Sequence, residues 1–361
     1  AIIPVLIVPY YSVIGGWVVK YLFEYIRGNG SKLAEDGYFS GFISNGGATE
    51  ICFVIFCMFT LVIIYAGVQN GIERVSKIMM PILVVLSVII AIYSVTRPGA
   101  IEGVKYFLVP NVKNFSWMTV VAAMGQMFYS LSIAMGILVT FGSYMRKDTS
   151  IEDSTRNVEI FDTAIAMMAG LMIIPAVFAF SGGDPDTLQA GPSLMFITIP
   201  KVFANMGFGT AVGILFFVLV LFAAVTSSIA LTESAVSTFE DELGWGRKKA
   251  TVLTGVIMIT LGTLSCLGYG PLDFVKIIGM QFLDFFDFLT NSVMMPIAAL
   301  MTSLLVSRVI GVDKIEEEIR HGESTFRRKK IFVVMIKYLC PIFALIILAS
   351  SVANAFGWIA M

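Results

Sequence analysis

Nine stretches of this sequence are apolar enough and long enough to cross a bilayer, and nothing else in it limits the fold so strongly. A hydrocarbon core roughly 30 Å thick takes about 20 residues of helix, because each residue rises about 1.5 Å. Segments of that kind run approximately over 2–26, 49–68, 78–96, 117–145, 158–180, 209–238, 250–268, 281–307 and 332–357. Nine such runs in a soluble protein would leave almost no polar helix face for water. Composition agrees: 57% of residues are hydrophobic, 14% are charged and the mean hydropathy is +0.88. The expected class is all-α, a polytopic membrane protein folding as a single transmembrane domain over 1–361.

Lysine and arginine are retained on the cytoplasmic side of a membrane protein, so the loops fix its orientation. One set carries Arg74, Lys77, Arg146, Lys147, Arg156, Arg247, Lys248, Lys249 and the cluster from Arg308 to Lys330; the other holds far fewer. The basic set reads as cytoplasmic, so the first helix runs outward and Met361 is expected outside. The chain opens at Ala1 directly into an apolar run, without the basic region of a signal peptide, and its natural start is expected to lie upstream. Between 181 and 208 the connection is long and holds Gly182-Gly183-Asp184-Pro185 and then Pro192 to Pro200, which fits a short re-entrant helix pair over the outer face or a plain solvated loop. Asp313 to Lys330 reads as a solvated connector.

Several function classes are excluded. The single histidine, His321, lies in a charged loop, so neither a histidine triad nor a histidine-rich metal site can be built, and an enzyme is not expected. A net charge of -1 and no basic stripe argue against nucleic acid. Cys52, Cys57, Cys266 and Cys340 all lie in apolar segments without metal-ligand spacing and read as small core residues.

Polar and bent features inside the spans are more informative, because a polar group in hydrocarbon needs a partner, an ion or a cavity. The span 117–145 contains Gly125-Gln126-Met127-Phe128-Tyr129-Ser130-Leu131-Ser132-Ile133-Ala134-Met135-Gly136. Such a crowd of glycines and hydroxyls fits a helix broken at mid-membrane around a binding site, or a continuous helix whose small residues pack closely. The span 209–238 carries Thr226-Ser227-Ser228, whose oxygens suit a small hard cation and equally suit bonds back to their own helix. Asp162 is the carboxylate near the start of 158–180, and Asp284 and Asp287 open 281–307.

At these residues the sequence resembles the neurotransmitter:sodium symporter family. The resemblance covers the whole chain and is carried by Tyr10-Tyr11-Ser12-Val13-Ile14-Gly15-Gly16-Trp17, by Gly125 to Ser132, by Thr226-Ser227-Ser228 and by Phe239-Glu240-Asp241-Glu242. It implies the inverted-repeat sodium-symporter fold, with the nine spans matching nine of about eleven transmembrane helices, the third to the eleventh. It further implies that Tyr11 bonds the substrate carboxylate, that Ile7 and Leu231 line the apolar side of the pocket, and that Tyr129 is its lid. Ser132 would stand beside the substrate, Ser130 and Asp162 at one sodium site, and Ala223, Thr226 and Ser227 at a second. Asp287 would be the outer gate acid, and Asp241 and Tyr144 part of the inner gate. Met135 stands where an aromatic or other bulky apolar residue is common, so substrate size stays open.

The function implied is sodium-coupled symport of an amino acid or related amine by alternating access, in the plasma membrane, with two Na+ sites and no organic cofactor. The partners expected are that small molecule and the lipid bilayer, and a homodimer is compatible with the family. The rival reading is a ligand sensor or channel without coupled transport, against which stands the lack of a repeated filter sequence.

Overall fold

The computed structural model describes residues 2–184, 187–188, 191–322 and 325–358. Eight continuous helices are long and apolar enough to span a membrane: α1 (Ile2–Ile26), α2 (Gly46–Tyr65), α3 (Val68–Val95), α7 (Ile151–Ser181), α9 (Gly209–Leu243), α10 (Arg247–Leu267), α11 (Phe282–Ile310) and α13 (Lys329–Ala355). The ninth expected span is present as two pieces, α5 (Trp117–Ser130) and α6 (Ile137–Ser143). Shorter helices include α4 (Ala100–Leu108), α8 (Leu194–Ala204) and α12 (Val312–Gly322), with brief turns of helix at Gly30–Leu33, Tyr38–Ser44 and Val112–Asn114, and no β-strand occurs among the described residues. The all-α polytopic class expected from the sequence is the one observed.

Two helices begin earlier than hydropathy suggests. α3 starts at Val68 with a π-helical turn after Gly67, because Gln69, Asn70, Glu73, Arg74 and Lys77 interrupt the apolar run without interrupting the helix. α7 starts at Ile151, where Ser150 caps it by accepting the Asp153 N–H at 3.0 Å. Asp162 therefore lies three turns inside α7 instead of near its start.

α1 is the central helix. It packs along α9, α2 and α10, and 67% of its most apolar window is buried, against 11% for α13 at the edge. Two glycines allow the closeness to α2. A Cβ on Gly16 would lie 2.6 Å from the Phe53 backbone nitrogen, and one on Gly15 would lie 2.5 Å from the Phe56 ring.

Side-chain contacts define the two ends of the bundle. At one end, Tyr21 donates to the Phe196 carbonyl at 2.8 Å, and the Phe196 ring stacks on Phe39 and meets Trp17 edge-on. These contacts fasten α8 over the end of α1, while part of the stretch expected to hold the other member of a helix pair lies outside the described residues. Pro185 and Met361, like Ala1, lie outside the described residues. At the opposite end, α12 is an amphipathic helix and not a solvated connector. Val312 and Ile319 are buried, and Arg328 pairs with Glu159 of α7 at 2.9 Å while the Arg327 N–H donates to Glu152. Glu316 is held below the usual carboxylate range by Lys329 and Arg320. His321 rides on this helix, and the four cysteines are free thiols, buried or half-buried as expected.

A Gly16→Ala substitution should lower stability by about 1–3 kcal/mol, since the clash is with backbone that cannot turn aside. Gly41→Ala, where a Cβ would meet nothing within 4 Å, should leave it unchanged within about 0.5 kcal/mol. Thermal unfolding of the purified proteins in detergent reads both.

Candidate functional site

The break between α5 and α6 spans Leu131 to Gly136, and three of its residues have positive φ: Ser132 at 54°, Ala134 at 64° and Gly136 at 86°. Positive φ in a residue with a Cβ is costly and persists where the surroundings enforce it, often at functional sites. Gly136 is required twice over, because a Cβ there would also lie 2.8 Å from the Ser234 hydroxyl of α9. α6 then docks on α9 through Thr140, which reaches Ser234 at 3.3 Å and Ser237 at 3.4 Å.

This break forms one wall of a cavity of about 460 Å³ between α1, α3, α5, α6 and α9. Of the residues singled out in the sequence, Ile7, Tyr11, Tyr129, Ser130, Ser132, Met135, Thr226, Ser227 and Leu231 all line it. Ile7, Met135 and Leu231 are buried, Tyr129 is 37% exposed, and the Tyr11 hydroxyl faces Ser227 across the α1–α9 contact.

Successive helical residues point about 100° apart, so the three hydroxyls of 226–228 serve three directions. Ser227 faces the cavity, and Ser228 accepts from Thr60 of α2 at 3.0 Å in the core. Thr226 lines the cavity while donating to the carbonyls of Phe222 and Ala223, both at 3.0 Å. Both readings of the triplet, cavity oxygens and bonds to the helix itself, hold together. Ala223 thus contributes a carbonyl beside Thr226 without lining the cavity. On the other wall Ser130 donates to Asp162 of α7 at 2.5 Å.

The remaining expected residues lie at the two ends. Asp287 accepts from Asn291 at 2.6 Å, and the same amide reaches the buried Tyr10 hydroxyl at 3.3 Å. Tyr269 donates to Asp284 nearby. At the end that carries Arg247, Tyr144 is not joined to Asp241. Its hydroxyl donates at 2.7 Å to Glu233, a fully buried carboxylate that also takes a bidentate pair from Arg247 at 3.0 and 2.6 Å. Arg247 Nε donates to the Ile64 carbonyl, so the cluster ties α2, α6, α9 and α10 together. Geometry explains the difference. Glu240 lies about 20° from Glu233 around the helix and reaches Arg247 at 3.6 Å, whereas Asp241 lies about 80° away and is exposed.

Reading the sequence missed Met80, Gln126, Ile137 and Ala230 in the cavity, and Glu233 with Arg247 below it. A lone carboxylate in the middle of the buried run from Leu231 to Ser237 was the available signal, since an acid so placed demands a partner.

The profile described as "Sodium:neurotransmitter symporter family" matches residues 38–357. The chain belongs to that family. It is 36% identical over 322 residues to the uncharacterized sodium-dependent transporter YhdH of Bacillus subtilis, a match covering 88% of this chain and 70% of that protein. An uncharacterized sodium-dependent transporter of Haemophilus influenzae is 32% identical, over 96% of this chain and 76% of its own length. Among solved structures, MhsT in complex with L-phenylalanine superposes with a TM-score of 0.84 at 36% identity, covering 97% of this chain and 79% of that one. Members of the family are membrane transporters that use sodium, and they are not enzymes.

Removing Arg247 would leave the Glu233 carboxylate buried without its cation. Arg247→Ala should therefore cost about 3–5 kcal/mol, and adding Glu233→Gln to that variant should recover part of the loss. A double-mutant cycle on thermal unfolding measures both terms.

Proposed function

We propose that this chain is a sodium-coupled symporter of an amino acid with an apolar side chain, working by alternating access. The observation that carries the reading is the break at Leu131–Gly136, set against Tyr11 and the Thr226–Ser227 hydroxyls around one cavity. An interrupted helix presents unpaired carbonyls and N–H groups at mid-membrane, the means of holding a charged amino acid and an alkali cation away from water. The cavity falls in the size range of small-molecule sites. Ile7, Met80, Met135, Ile137 and Leu231 give it an aliphatic lining without a charged side chain, which favours an apolar substrate. The likeness to a structure solved with L-phenylalanine supports the same class.

In this reading the Tyr11 hydroxyl donates to the substrate carboxylate and Tyr129 closes over it. Two oxygen pairs hold sodium: Ser130 with Asp162, and Thr226 with the Ala223 carbonyl, the latter extended by Ser227. The Asp162 carboxylate adds a fixed negative charge beside the first ion, the role chloride plays in chloride-dependent members of the family, so transport should be chloride-independent. The positive-inside rule puts the Arg247 end in the cytoplasm and α8 outside, in the plasma membrane. Asp287 with Tyr10 and Asn291 then stands at the outer gate, and Tyr144 with Glu233 and Arg247 at the inner one.

Thr226→Ala with Ser227→Ala should raise the sodium concentration for half-maximal uptake at least about tenfold, equivalent to about 1.4 kcal/mol of lost binding. Tyr11→Phe removes a hydrogen bond to a charged group, worth about 1.5–3 kcal/mol, and should raise the apparent KM about tenfold or more. Uptake of labelled L-phenylalanine or L-leucine into proteoliposomes under an imposed sodium gradient checks both, in chloride and in gluconate. Saturable ligand binding with no gradient-driven accumulation would instead establish the sensor or channel reading.

A further inference from the structure

A separate cavity of about 190 Å³ opens at the α8 end, where the chain leaving α3 and the last turns of α7 meet the segment following α8. Its floor is apolar, made by Pro98, Phe180, Val202 and Met206, and its polar side chains are Arg97 and Asn205. Arg97 is fixed against one wall: Nε donates to the Tyr93 carbonyl at 3.2 Å, and the guanidinium lies 4.2 Å over the Tyr93 ring. The Tyr93 hydroxyl donates in turn to the Gly207 carbonyl on the facing side, which holds the two walls together.

The cation in this cavity is unmatched. Three cations toward this end have carboxylates, Lys20 with Glu24, Lys105 with Glu102 and Lys201 with Asp36, whereas among the described residues no Asp or Glu pairs with Arg97, and Arg97 is the cation that lines a cavity. A guanidinium has five N–H donors and stays charged, and one of those donors is committed to Tyr93. A carboxylate or phosphate is its natural bidentate partner. A small soluble anion would gain nothing from Phe180, Val202 and Met206. Phe180 is 40% exposed and Phe208, next to the lining residue Gly207, is 84% exposed, so two aromatic rings flank the cavity at helix ends, where aromatic residues meet the membrane interface.

We propose that this cavity binds the anionic head and first carbons of an acyl amphiphile, with its carboxylate or phosphate on Arg97 and its chain leaving past Phe180 and Phe208. The site is distinct from the central cavity and does not depend on how that cavity is used.

Diazirine-bearing palmitate and diazirine-bearing phosphatidylglycerol, each added to the purified protein in neutral detergent, would test this by crosslinking and peptide mapping. Labelling is expected in the peptides that carry Phe180 and residues 202–208, and several-fold less from the uncharged diazirine palmityl alcohol. Arg97→Gln should cut that labelling about tenfold. Met206→Trp, which fills the cavity and leaves the charge, should do the same and carries the test alone if the arginine variant does not fold. Labelling by palmitate alone identifies a free fatty acid, and labelling by phosphatidylglycerol alone identifies a phospholipid head. Equal labelling by the alcohol, labelling that persists in the variants, or competition by acetate as strong as that by unlabelled palmitate would overturn the proposal.

Discussion

In hydrocarbon no water is present to satisfy a backbone N–H or carbonyl, and that constraint governs the break at Leu131–Gly136 and everything packed around it. An interrupted helix facing lipid would be ruinous, so the open turn must lie against protein or line a cavity. Here α1 and α9 supply the cover, and at Gly136 the positive φ and the nearby Ser234 hydroxyl both favour glycine. The positive-φ backbone at Ser132 and Ala134 follows from the same arrangement.

Covering one interruption requires the covering helices to be rigid and close to each other. Gly15 and Gly16 bring α1 against α2, the Thr60–Ser228 hydrogen bond ties α2 to α9, and the Glu233–Arg247 pair locks α9 to α10 below the cavity. Contacts to the edge helices are sparser, and α11 and α13 leave most of their apolar surface outward, as helices solvated by lipid do. The molecule thus has a tightly held centre around the break and a looser rim.

Hydropathy alone marked all nine spans, because the bilayer imposes one length on each, and it erred only where polar residues sit on a continuing helix, as at Gln69–Lys77 and Ile151–Val158. Side chains of the cavity could be read where a motif held them, at Tyr11, at Tyr129 to Ser132 and at Thr226–Ser227. Met80 could not, since an isolated methionine in an apolar span carries no pattern and becomes a lining residue only through the way α3 packs in the bundle. Glu233 and Glu240 meet Arg247 while Asp241 is exposed, because neighbouring acids on a helix point in different directions, which a string of letters does not display. Val312, Ile315 and Ile319 did hold the spacing of an amphipathic helix, hidden among so many charges that the segment read as solvent.

α7 is one rod of 31 residues, roughly 45 Å from end to end at about 1.5 Å per residue. Its first turns are clamped by Arg327 and Arg328 to the strand of chain after α12, and its last turns wall the Arg97 cavity. Asp162 stands only about a third of the way along. With Glu152 as fulcrum and α7 tilting as one body, a sideways shift of about 1 Å at Asp162 becomes a shift of nearly 3 Å at the far end. If Asp162 holds sodium as proposed, an oxygen drawn inward by that ion is connected, through leverage alone, to the surface beside Arg97.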